Sequence, residues 1–71
     1  MIYFAIRIGI ASDGVTPIQS ITRTDTLDEA RKKYHTDLYG YIGNCTRICC
    51  FVTDLAGNIY FKENWNGQED I

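Results

Sequence analysis

Proline, histidine, methionine and tryptophan each occur once in this chain of 71 residues, and cysteine only three times. Each scarcity excludes something. With His35 as the sole histidine and no C-x2-C spacing among Cys45, Cys49 and Cys50, no zinc-type ligand set exists, so no metal is expected. Few prolines and glycines argue against disorder. No apolar run approaches the ~18 residues of a bilayer span, so no membrane partner is expected. Cations are not in excess: seven Lys and Arg against nine carboxylates give a net charge of −2. Bulk nucleic-acid binding needs a strong positive footprint and is disfavoured, although two or three local cations can still hold a small anion. Phosphate-cradling loops are missing, since neither Ser12-Asp13-Gly14 nor Leu55-Ala56-Gly57-Asn58 resembles a P-loop or a dinucleotide fingerprint.

The cysteines do not form a disulfide framework. Residues four apart in a strand, such as Cys45 and Cys49, stand about 13 Å apart, and the neighbours Cys49 and Cys50 point to opposite faces. The apolar start of the chain lacks a basic n-region and is interrupted by Arg7, which fits a first strand better than a signal peptide. A cytosolic protein is expected. The length allows a single domain, residues 1–71, and a domain of this size buries only about 60% of its unfolded surface. Oligomerisation is the expected supplement to so small a core.

What the sequence does contain is period-two alternation. Ile2, Phe4, Ile6, Ile8 and Ile10 alternate with Tyr3, Ala5, Arg7 and Gly9. From Cys45 to Thr53, Ile48, Cys50 and Val52 share one face, and Arg47, Cys49 and Phe51 the other. From Ile59 to Asn64, Ile59 and Phe61 oppose Tyr60 and Lys62. The aliphatic sets are read as the core face. The second face would then carry Tyr3, Arg7, Arg47, Cys49, Phe51, Tyr60 and Lys62, too aromatic to meet only water and too charged for a second core. These seven are the candidate ligand-binding or interface residues.

Between the strands, Gly14 and Pro17 mark a loop, and Ile18 to Arg23 reads as a short, polar edge strand. Thr26-Leu27-Asp28-Glu29 is a capping box, followed by the stripe Leu27, Ala30, Tyr34, Leu38 and Tyr41 at helical spacing. Asp28 with Lys32 and Glu29 with Lys33 are placed for i,i+4 pairs, and Gly43-Asn44 ends the helix. A hairpin turns over Asp54 to Asn58, where Gly57 and Asn58 supply positive-φ capacity. Residues 66–71 are expected to fray, with Trp65 packing back on the sheet. The fold is α+β: a two-layer sandwich with one helix on a small antiparallel-rich sheet, in the order strand, short edge strand, helix, strand, strand.

Reaction chemistry is not found. No base is placed to activate a cysteine or serine, the carboxylates are scattered, and no cofactor motif occurs, so the chain is read as non-enzymatic. His35 and the run Arg31-Lys32-Lys33 read as parts of a solvated helix face, locally compensated by Asp28, Glu29 and Asp37. Cys50 reads as a small core hydrophobe and Cys49 as a contact residue. The outer face admits three readings: a sheet-on-sheet homodimer seam, a surface where aromatics stack on a ring while cations neutralise phosphate, or a face merely decorated with strand-forming aromatics.

At Met1-Ile2-Tyr3-Phe4-Ala5-Ile6-Arg7-Ile8-Gly9, at Thr26 to His35 and at Asp54-Leu55-Ala56-Gly57-Asn58-Ile59-Tyr60, the chain resembles small accessory proteins encoded by tailed bacteriophages of Gram-positive hosts. That resemblance implies a viral protein in the host cytoplasm. It supplies no catalytic residues to carry over. By analogy it implies interference with host defence, by sequestering a nucleotide-like signal or by blocking a host protein. The alternative is a minor virion or assembly protein acting through protein contacts alone.

Overall fold

The computed structural model of the chain describes residues 1–67. Five elements follow in order: β1 (Tyr3–Ala11), β2 (Pro17–Thr24), α1 (Leu27–Tyr41), β3 (Cys45–Asp54) and β4 (Ile59–Asn66). The strands form one antiparallel sheet in the order β2-β1-β3-β4, and α1 packs on one side of it. This is the expected α+β sandwich, with β2 at an edge.

Local chemistry sets the element ends. Thr26 has extended backbone and its hydroxyl accepts from the Glu29 amide at 3.1 Å, which closes one orphan donor of α1. Only this half of the box forms among the described residues. At the other end the Ile42 amide donates to Leu38, and Gly43 takes φ +87°, the left-handed conformation that stops a helix. The β3–β4 turn is organised by Asp54, whose Oδ1 accepts from the amides of Ala56 and Asn58. β4 runs on through Trp65 to Asn66, and the Gly67 amide donates to Thr46 at 2.9 Å. Asn66 therefore lies in β4 and Gly67 is tied to β3, against the expectation of fraying, and the remainder of that expectation, at 68–71, lies outside the described residues.

Ala30, Tyr34 and Leu38 of α1 cluster with Cys45, Ile48, Cys50 and Val52 of β3 to make the core, with Trp65, Phe61, Tyr41 and Leu27 partly buried around it. The stripe on α1 and the inward face of β3 are those expected from periodicity. β1 is not. Its register sets Ala5 opposite Val52, Arg7 opposite Cys50 and Gly9 opposite Ile48, so the odd-numbered residues face the helix and the Phe4–Ile10 aliphatic set faces away.

Two physical causes account for this. Ala5 and Gly9 are small enough to let α1 settle over β1, where a row of isoleucines would hold it off. A Cβ at Gly9 would stand 2.3 Å from the Arg47 carbonyl oxygen and 3.1 Å from the Ile48 Cα, so only glycine permits the β1–β3 approach. The second cause is Asp37, which lies on the sheet side of α1 with only 4% of its surface exposed. A buried carboxylate needs a cation, and Arg7 supplies one only from this face.

Candidate functional site

The helix-side polar cluster centres on Asp37. Its Oδ1 lies 3.2 Å from Arg7 Nη1 and 3.1 Å from Lys33 Nζ, and the Arg7 guanidinium sits 4.3 Å from the centre of the Tyr41 ring. Lys33 thus pairs forward with Asp37 instead of back with Glu29. Burial, aided by the nearby Asp37 charge, pushes the Cys50 thiol up to about 11, which keeps it protonated and unreactive. A second cluster closes the far end of the sheet, where Tyr60 donates to Asp54 at 2.7 Å and packs edge-on against Tyr3 with ring centres 5.5 Å apart. That bond and those from Asn58 lower Asp54 to about 2, and the bond to the Asp54 carboxylate raises Tyr60 above its ordinary value.

Three of the seven candidate contact residues are therefore engaged within the fold. Tyr3 and Arg7 lie on the helix side, opposite to the expected face. Tyr60 is the extra residue at a β-bulge, where the register shifts between Val52 and Thr53, and it turns toward Asp54. Alternation alone could not foresee these placements, because it sorts residues into two faces without saying which one a helix covers, and a bulge breaks its count.

Arg47, Cys49, Phe51 and Lys62 do lie together on the open face. Register adds Phe4, Ile6, Ile8 and Ile10 from β1, Ile21 and Arg23 from β2, and Ile59, Asn64 and Asn66 from β4. The result is an aliphatic and aromatic plain, with Ile8 47%, Ile21 70% and Ile59 57% exposed. The face holds three of the chain's seven cations, Arg23, Arg47 and Lys62; among the described residues its paired strand positions carry no carboxylate, and Asp25, just beyond β2, pairs with Arg23 at 3.4 Å. A signal for the missed isoleucines was present in the sequence. One short helix with a stripe of Ala30, Tyr34 and Leu38 cannot cover the inward faces of both β1 and β3 if both are bulky.

Relief on this face is concentrated at one end. A depression of about 650 Å³ is lined by Ile8, Gly9, Ile10, Arg47, Ile48, Cys49, Asn64, Trp65 and Asn66. A smaller one, about 350 Å³, lies between β1 and β2 against Ile6, Ile8 and Ile21. No group of three or more His, Cys, Asp or Glu side chains able to hold a metal occurs among the described residues, and no helix there is long and apolar enough to cross a membrane. No family model matches the chain, and no curated protein and no solved structure matches it.

Proposed function

We infer that this chain is a non-enzymatic assembly module that pairs with a second copy of itself across the open face of the sheet. The observation that carries the reading is the uncovered plain of Phe4, Ile6, Ile8, Ile21 and Phe51, a contiguous apolar patch of the kind that marks an interaction surface on a small protein. Four strands about 4.8 Å apart and some eight residues at about 3.3 Å each give roughly 500 Å² in projection. Side-chain relief brings that toward the ~800 Å² per partner of a standard stable interface. Flat sheet faces pack on one another readily, and burying each isoleucine contributes roughly 1.5–3 kcal/mol before association costs. The cations stand along the margins, where long side chains keep their charges in water when the centre closes. The resemblance to phage accessory proteins supports a setting in the host cytoplasm, with the assembly acting by sequestration.

Sedimentation velocity tests the reading. The chain is expected to sediment as a species of twice 8.1 kDa at micromolar concentration. Ile21→Lys and Ile8→Lys should convert it to a folded monomer, because both side chains lie in the open and each change adds a cation to a cationic face. A parent chain that sediments as a monomer would overturn the reading.

A further inference from the structure

We propose that the outer edge of β4 takes an extended peptide as an added strand, one that sets a lysine or arginine opposite Glu63 and apolar side chains opposite Phe61 and Trp65. The inference goes beyond self-pairing and does not rest on it, because this edge and its helix side lie away from the open face. β4 ends the sheet order, and among the described residues no strand pairs with its outer side from Tyr60 to Trp65. The stretch holds no proline, so its outward N–H and C=O groups form a template for strand addition. Register places Phe61, Glu63 and Trp65 on the helix side, opposite Val52, Cys50 and Ile48. Since α1 lies over β1 and β3 and leans toward β2, this side of β4 is a shelf with α1 as its wall. The Arg31 guanidinium stands 5.0 Å from the centre of the Phe61 ring there, and the Tyr34 ring centre 6.1 Å from it.

Two polar groups on the shelf lack partners. Tyr34 is only 7% exposed, and its hydroxyl makes no hydrogen bond among the described residues. Glu63 is exposed, and no described cation pairs with it. The two are neighbours: after burial, the Glu63 charge is the largest influence raising Tyr34 above its ordinary value. A lysine or arginine side chain placed between them donates to the carboxylate and the hydroxyl together. Side chains directly opposite on paired strands stand about 4.5–5.5 Å apart, so the residues two before and two after that cation meet Phe61 and Trp65. Both rings are only partly buried and take apolar partners. Charge and register therefore specify the occupant as apolar, any, basic, any, apolar. Antiparallel pairing of two β4 edges centred on Lys62 or Glu63 would set like charges opposite one another, which disfavours a second copy on this edge. The other edge, β2, starts at Pro17, turns Ser20 and Thr22 to the helix side, and offers neither a carboxylate nor an aromatic ring.

Fluorescence anisotropy of the full chain with end-blocked, dye-labelled peptides Ser-Thr-X-Thr-Lys-Thr-X-Thr-Ser, where X is leucine, valine or phenylalanine, tests the assignment. At least one is expected to bind with a Kd at or below about 100 μM, and its counterpart with glutamate for lysine at least about tenfold more weakly. Glu63→Lys should invert that preference. Ile21→Lys, on the open face at the far edge of the sheet, should leave affinity within about twofold, and a loss there would place the peptide on the open face and overturn the site. Amide exchange at alternate residues from Tyr60 to Trp65 should slow with peptide bound, and unchanged exchange would overturn strand addition. Absence of binding by all three peptides at millimolar concentration, or a Glu63→Lys chain that still prefers lysine, would also overturn it. So would growth of the parent beyond a dimer that Glu63→Lys abolishes, which would assign the edge to a second copy. A dimer that binds none of the peptides refutes this site and leaves the pairing standing, whereas a monomer that binds one refutes the pairing and leaves the site.

Discussion

Arg7 shows how one residue fixes which side of a strand a helix covers. Its guanidinium is largely buried, bonded to Asp37 through Nη1 and stacked on Tyr41, while its Nε is enclosed without a hydrogen-bond partner. Arg7→Met removes the better-placed of two cations from a buried carboxylate. The expected loss is roughly 2–3 kcal/mol by denaturant titration, below the ~3–5 of a fully orphaned charge because Lys33 remains. Pairing it with Asp37→Leu should restore most of that stability, since an apolar pair of similar volume does not need the ions. Thiol chemistry gives a second residue-scale test. Cys50 is 1% exposed and its thiol is raised by burial to about 11, so it should stay unlabelled by a thiol reagent at neutral pH until the chain unfolds. Labelling of Cys50 at the rate of a free thiol in the folded protein would contradict the core described above.

Elements were legible where their signals are local. Thr26, Gly43 and the Asp54–Asn58 turn act through neighbours a few residues away, so the helix, its ends and the hairpin could be read directly. Thr26→Ala should cost about 1 kcal/mol through loss of the bond to the Glu29 amide, measured as a lower denaturant midpoint with an unchanged slope. The β3–β4 turn adds a pH dependence. The folded Asp54 carboxyl is lowered to about 2, chiefly by the Tyr60 and Asn58 bonds, from an ordinary carboxylate value near 3.9 when unfolded. Its stabilising contribution is complete above about pH 4 and disappears as pH falls toward 2. Replacing Asp54 with Ala should therefore lower stability at neutral pH and flatten the acid limb between those values, as followed by thermal unfolding across that range. The facing of β1 was illegible because it depends on long-range facts: the size of Gly9 against the β3 backbone, and a carboxylate thirty residues away on α1. Of the expected contact residues, those on β3 and Lys62 kept their face, because the inward side of β3 is set by the same apolar run that periodicity detects. Tyr60 was displaced by a bulge that has no period.

At the scale of the whole molecule, the sheet is asymmetric in its demands. One face is closed by α1 over small residues and an ion pair, and the other is bare and aliphatic. A dimer across the bare face links folding to association, so the thermal midpoint should rise with protein concentration over a hundredfold range. Cys49, on that same face and only partly buried in a single chain, should be labelled more slowly as concentration rises, whereas Ile21→Lys should abolish both trends. A midpoint independent of concentration would separate the bare face from self-association.

Gly9 and Ala5 carry a consequence for how this sequence can change. Because β1 meets the helix through its odd residues and the outside through its even ones, two instructions are interleaved along one stretch of chain, each silent in the other's context. Rewriting Ile6, Ile8 and Ile10 as threonines leaves every neighbour of α1 in place, so the partner can be exchanged while the architecture is inherited intact. A substitution at Gly9 does the reverse, sparing the outward lettering and forcing β1 and β3 apart. Lineages descended from such a chain would therefore vary at alternate positions of β1, with diversification confined to the even ones and constancy to Ala5, Arg7 and Gly9.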